Sequence, residues 1–165
     1  MPRRLTTVDQ VLSVLEETPV RLAALAGHVG EAALHATPEP GEWSVNENLA
    51  HLRSCADMWG GAIEEILAAD HPTIRAVNPT TWIDRTDYRE LEFEPSLRAF
   101  TAQRQRLLGA LGALPIAGWS RGATVLGAGK PLELTVHSYA DRLARHERTH
   151  WRQVEKTVQA VSSRH

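Results

Sequence analysis

The sequence predicts an all-α fold, a single four-helix bundle domain spanning residues 1–165. Three observations carry that prediction. Apolar residues recur at three-and-four spacing in four separate segments, proline and glycine punctuate the chain between them, and no segment shows sustained strand alternation. Four amphipathic helices bury their stripes most economically around one shared core. The 165 residues amount to about one domain, and no linker or internal repeat divides them. With 42% hydrophobic and 23% charged residues, the composition is that of an ordinary folded protein and excludes disordered or low-complexity classes.

The first helix is expected from Thr7 to about Leu34, through Val8, Val11, Leu12, Leu15, Leu22, Leu25, Ala26 and Val29. Thr18-Pro19 interrupts it, and a proline there either starts a new helical segment or kinks a continuous one. The run from Thr37 to Trp43 holds two prolines and a glycine and cannot stay helical. Ser44-Val45-Asn46-Glu47 then reads as a capping box that starts the second helix. That helix should reach about Ala69, weakened in its middle by Gly60-Gly61 and ended by His71-Pro72. Residues 71–93 form a connection long enough to act as a functional cover. Glu94-Pro95 opens a third helix, striped by Leu97, Phe100, Leu107, Leu108, Leu111 and Leu114 and closed before Pro115. Residues 115–131, with four glycines and a Thr124-Val125-Leu126 run, predict a loop or small hairpin, and the fourth helix is expected over about Leu132 to Val161. Two long connections argue against a simple up-and-down arrangement.

Several function classes are disfavoured by composition. A formal charge of -2 and a pI near 6.4 give no reservoir of positive charge for phosphate backbones or anionic membranes, so no nucleic-acid or membrane partner is expected. Sixteen of the eighteen basic residues are arginine, but they are spread along the whole chain. No apolar run approaches the ~20 residues of a membrane span. The single cysteine, Cys55, forbids an intramolecular disulfide, and no secretory-type leader is seen at Met1, so a cytoplasmic location is expected.

Eight histidines is an enriched share for 165 residues, and the fourth helix contains His146-Glu147-Arg148-Thr149-His150. Four residues at 3.6 per turn put both imidazoles on one face, one turn apart, where they can share a metal ion. At 100° per residue, Val136, Leu143, Val154 and Val161 lie within about 20° of a common direction, with His150 about 40° and His146 about 80° away. The pair thus belongs to the buried half of the helix or its edge. Two nitrogens do not close a site, because zinc, nickel and similar ions ordinarily take at least three protein ligands. The zinc-peptidase motif His-Glu-x-x-His is also matched, but the metzincin glycine and third histidine are missing from Trp151-Arg152-Gln153-Val154. His51 in the second helix lies at the flank of its stripe, about 100° from the centre, and composition leaves it unassigned.

These pieces resemble the DinB-like superfamily, the damage-inducible and YfiT-related four-helix metalloproteins, over about Glu16 to Val161. The matching features are the Thr18-Pro19 start with its leucine-rich helix, the Pro-Gly-Glu-Trp-Ser block leading to Leu49–Leu52, and a last helix carrying His-x-x-x-His. The resemblance implies an antiparallel bundle with long crossover connections, often a homodimer. It also implies a divalent metal at one end of the core, held by His51, His146 and His150 and leaving positions open for water or a small-molecule substrate. It further implies a metal-dependent enzyme, a thiol S-transferase using a cosubstrate such as mycothiol or bacillithiol, or a hydrolase. The alternative is a non-catalytic metal-binding bundle acting as a structural or dimeric interaction protein. Zinc leads on availability, with nickel or another transition metal also suited to imidazole. Such an ion acidifies a bound water or thiol and makes it nucleophilic near neutral pH.

Glu147 projects near the centre of the fourth helix's stripe, so it needs a buried partner. Bonding to a histidine or an arginine is the plain reading, and general-base catalysis the alternative. Cys55, one turn beyond His51, could offer a thiolate but reads first as a small buried residue. Tyr139 and Trp151 read as core, and Trp43 as a packing residue where the second helix begins.

Overall fold

The computed structural model describes residues 6–164; the reading of Met1 as free of a leader concerns residues outside that range. Helix α1 spans Val8–Ala26 and opens with a reciprocal capping box between Thr7 and Gln10. It ends at Gly27, and a separate short α2, Glu31–His35, follows; the expected single helix to Leu34 is thus broken between Gly27 and Gly30. Helix α3, Val45–Cys55, begins with the Ser44–Glu47 capping box. It continues through one π-helical turn, Ala56–Gly60, into α4, Gly61–Ala68. A Cβ at Gly60 would meet Leu107 at 3.9 Å, an ordinary packing distance, so the weak middle of the second helix shows as the π-helical turn and not as a tight helix contact.

The third helix, α6 at Phe93–Gly112, is preceded by β1 (Thr73–Arg75) and the short α5 (Pro79–Trp82). Beyond it, β2 (Gly122–Leu126) and β3 (Leu132–Thr135) form an antiparallel hairpin, and β1 joins β2 in parallel. Among the described residues the three strands form one sheet in the order β1-β2-β3; β2 and its hairpin turn fall in the segment 115–131, expected as a loop or small hairpin, whereas β1 and its parallel pairing were not expected. The strands are three to five residues long, too short for a periodic signal. The last helix, α7, therefore starts at Val136 and not Leu132, because residues 132–135 pair with β2 and Thr135 caps the helix by accepting from the Ser138 amide. It then runs to Ser162.

Two apolar clusters fix the arrangement. One gathers Val11 and Leu15 of α1, Ile63 and Ile66 of α4, Leu107 and Leu111 of α6, and Val136 and Leu143 of α7. The other gathers Leu22, Leu49, Phe93, Phe100 and Val154. The start of α1 thus lies level with the start of α7 and with the ends of α4 and α6. It follows that α1 and α7 run one way while α3–α4 and α6 run the other. Helix α1 packs on α6 and α7, as does α3, which leaves α1 and α3 on a diagonal. The connection 69–92 is a true lengthwise crossover, whereas the 113–135 connection begins and ends at the same end of the bundle. The crossover is pinned by Asp57 in the π-helical turn, which accepts from Trp82 Nε1 at 3.0 Å, Tyr88 Oη at 2.5 Å and Gln103 Nε2 at 2.7 Å.

Pro19 lies inside a continuous α1, and its missing N–H frees the carbonyl of Leu15 four residues back. Arg104 of α6 takes up that carbonyl, its guanidinium donating to Leu15 O at 2.9 Å. The same guanidinium donates to Glu147 Oε1 at 2.7 Å and grips the other oxygen as well, forming a two-pronged ion pair. Arg104 is 2% exposed and Glu147 fully buried. Thr18 donates to Glu147 Oε1 at 2.7 Å and accepts from Trp151 Nε1 at 3.0 Å. One buried polar network therefore ties α1, α6 and α7 together beside the histidines of α7.

Candidate metal centre

The histidines meet where α3 faces α7, between the two apolar clusters, level with the second turn of α3 and the middle of α7 rather than at one end of the core. His51 Nε2 is 3.0 Å from His146 Nε2, and His146 Nε2 is 3.2 Å from His150 Nε2. The degree of burial follows the angles on the helix: His150 is 8% exposed, and His146, further from the stripe centre, is half-buried. Cys55 Sγ joins from the core side, 3.6 Å from His51 Nε2 and 3.9 Å from His146 Nε2. His51, Cys55 and His146 have their donor atoms within 4.8 Å of one another, and His150 adds its own through His146.

The surrounding bonds favour donor lone pairs facing inward. Asn48, three residues before His51, is fully buried and donates its amide to the Ser44 carbonyl at 2.9 Å. That leaves Asn48 Oδ1, which accepts from His150 Nδ1 at 2.9 Å, so the proton of His150 sits on Nδ1 and its Nε2 carries a free lone pair. This is the support a metal-ligating imidazole ordinarily receives. His146 Nδ1 is buried without a partner, and the edge of its ring meets Trp59 at 5.2 Å. A second grouping, Glu31, His35 and Glu92, lies exposed at the surface, and its imidazole–carboxylate pairs account for it.

Electrostatics hold the cluster neutral. Burial, followed by the nearby His150 and His51, pushes His146 down to about 3. Burial and His51 push His150 down to about 4, and burial with the Arg89 charge lowers His51. Burial and the Glu147 charge raise the Cys55 thiol to about 12. Neutral imidazole is the ligating form. In metal-free protein the unfolded chain protonates these rings below about pH 6.5, while the folded chain resists until about pH 4 at His150 and about pH 3 at His146. The unfolded state binds more protons throughout that window, so stability is complete above it and falls on acidification. Urea midpoints of stripped protein should therefore drop steadily from pH 6.5 to pH 4. An unchanged midpoint between pH 7 and pH 5 would contradict buried neutral imidazoles.

A groove of about 640 Å³ opens onto His51 and His150, walled by residues 38–43 and by Gln153, Lys156 and Thr157. Trp43, which sequence reasoning took for a packing residue, is 37% exposed and stacks over His150 at 6.2 Å. The 71–93 crossover, expected to cover the site, instead helps line a separate cavity of about 510 Å³ with Trp59, Tyr139 and β2. Tyr139 and Trp151 are core residues, as read from the sequence.

A family model described as the DinB superfamily matches residues 14–154, most of the chain. The chain belongs to the DinB superfamily. Solved structures agree in fold: YfiT from Bacillus subtilis, described as a probable metal-dependent hydrolase with an unusual four-helix bundle topology, superposes with a TM-score of 0.79 at 19% identity, covering 98% of this chain and 93% of that one. TT2238, described as a four-helix bundle protein, superposes with a TM-score of 0.63 at 21% identity, covering 91% and 99%. No curated protein matches the chain. Among the described residues of this DinB-superfamily protein, no helix is long and apolar enough to cross a membrane.

Proposed function

We propose that this protein is a metal-dependent enzyme in which His51, His146 and His150 hold one divalent cation, with zinc the leading ion, and the groove beside them admits a small molecule. The observation that carries this reading is the convergence of ring nitrogens from two different helices at 3.0 and 3.2 Å. Two nitrogens each ~2.05 Å from a tetrahedral ion lie ~3.3 Å apart, so the rings need move little to share one. Bound there, a divalent ion acidifies a coordinated water or thiol, the chemistry a hydrolase or a thiol S-transferase requires.

The protein's own groups divide the remaining work. Asn48 orients His150 through Nδ1. Trp43 presents a flat apolar wall to the groove, while Lys156 and Gln153 offer polar contacts at its rim. Glu147 is committed to Arg104 and Thr18, which supports a positioning role in place of proton transfer. YfiT's description as a probable metal-dependent hydrolase is consistent with this reading.

The test uses tag-free protein stripped with chelator and reloaded with zinc or nickel. Turnover is measured on simple esters and amides, and on electrophiles supplied with low-molecular-weight thiols of the mycothiol or bacillithiol kind. Turnover should appear only in the loaded protein, and its dependence on added thiol separates transferase from hydrolase. Equal turnover by stripped and loaded protein would defeat the proposal.

A further inference from the structure

We propose that Cys55 is a fourth protein ligand of this centre, binding the cation as thiolate from the core side, opposite the groove. The inference rests on the reading of the histidines as ligands and adds to it a residue of different chemistry.

Both helices present a donor pair at the same spacing. On α3 the pair is His51 and Cys55; on α7 it is His146 and His150, and each pair stands one turn apart on one face. Nitrogen at ~2.05 Å and sulfur at ~2.3 Å from one tetrahedral ion lie ~3.6 Å apart. The observed separations of Cys55 Sγ are 3.6 Å to His51 Nε2 and 3.9 Å to His146 Nε2. The donor atoms of His51, Cys55 and His146 fall within 4.8 Å of one another, and His150 reaches the group through His146 at 3.2 Å. A cysteine serving only as a small apolar residue would bury its sulfur among carbon atoms. Cys55 is 1% exposed, yet its sulfur is directed at two imidazole nitrogens.

The surroundings support the assignment independently. The chain leaves α-helical geometry immediately after Cys55, in the π-helical turn Ala56–Gly60, a distortion found frequently at functional sites. The groove touches His51 and His150 but not Cys55, so an incoming group meets the four-ligand ion from the outer face as a fifth ligand, with sulfur on the inner one.

Coordination forms the metal–sulfur bond, breaks the S–H bond and releases the proton to solvent; no oxidant or reductant is needed. The thiolate lowers the net charge of the centre from +2 to +1 and shifts preference toward ions that accept sulfur, such as zinc and cobalt, over magnesium or manganese.

The test is cobalt(II) added alone to stripped, tag-free protein, with absorption spectra of the wild type, Cys55→Ala and Cys55→Ser. One cobalt per chain should produce a near-ultraviolet thiolate-to-cobalt charge-transfer band in the wild type. Both variants should lose the band and bind cobalt at least ~10-fold more weakly, since even supporting groups around a ligand are worth that much. Stoichiometric cobalt without the band in the wild type overturns the proposal, whether or not the variants fold, and so does a band that persists in the variants. Failure of the wild type to bind cobalt overturns the histidine reading itself, and this proposal with it.

Discussion

Replacing Glu147 by glutamine is expected to cost about 3–5 kcal/mol of stability, because it strands the Arg104 charge in an interior where the arginine is 2% exposed. That is a large part of the ~5–15 kcal/mol that holds a typical domain together. The loss should appear as a lower denaturant midpoint with little change in slope. Removing both charges together, in Arg104→Met with Glu147→Leu, should recover part of it, because a buried pair replaced by apolar groups is often neutral or stabilising, while the Leu15 carbonyl loses its donor. A single variant that loses less than ~1 kcal/mol, the scale of an exposed pair, would show that the Arg104–Glu147 bond is not a central tie between α6 and α7. The same substitution also bears on chemistry. Glu147 follows His146 directly, so a fold that survives the change should still bind metal if the carboxylate only positions its neighbours.

Much of this network was legible before any coordinates. Glu147 fell at the centre of the α7 stripe and demanded a buried partner; an arginine supplies it. That arginine also had a readable signal, because Arg104 stands four residues after Phe100 and three before Leu107, on the apolar stripe of α6. A charge on a buried stripe is the other half of a buried pair. What periodicity could not decide was whether Pro19 kinks α1 or restarts it. The answer depends on a distant guanidinium that takes up the freed Leu15 carbonyl, a tertiary contact with no local trace.

The site shows the same division. The His146–His150 spacing fixes a shared face by helix geometry alone, and their unequal burial followed from their angles. His51 was drawn in by resemblance, its flank position being uninformative, and only the packing of α3 against α7 brings its ring within 3.0 Å of His146. Asn48 had a signal, since it lies three residues before His51 on the same side of the helix. Trp43 had none, because its role depends on how the 38–43 segment folds back over α7. Of the three-stranded sheet only the hairpin segment was legible; β1 was missed for a related reason, because it is short and its parallel pairing with β2 joins residues about fifty positions apart, such as Thr73 and Thr124.

Replacing His51 by alanine is expected to lower cation affinity by more than the ~10–100-fold that loss of a supporting group costs, because it removes the nitrogen that α3 contributes. The effect should be specific to the cation. His51 is half-buried and its ring contacts are chiefly with the other histidines and Trp43, so the metal-free variant should unfold near the wild-type midpoint. The difference between variant and wild type should then emerge when zinc is added, since ligand binding stabilises only the protein that binds it. His150→Ala should behave alike and additionally leave Asn48 Oδ1 without its buried donor. Zinc that raises the midpoint of His51→Ala as far as that of wild type would remove His51 from the centre.

X-ray absorption at the zinc edge, recorded on tag-free protein loaded with one zinc per chain, tests the shared cation most directly. A first shell containing imidazole nitrogens at ~2.0–2.1 Å, diminished in both His51→Ala and His150→Ala, is the predicted result. A shell of oxygen atoms alone, or a histidine signal indifferent to His51, would contradict a cation shared by His51 and the histidines of α7.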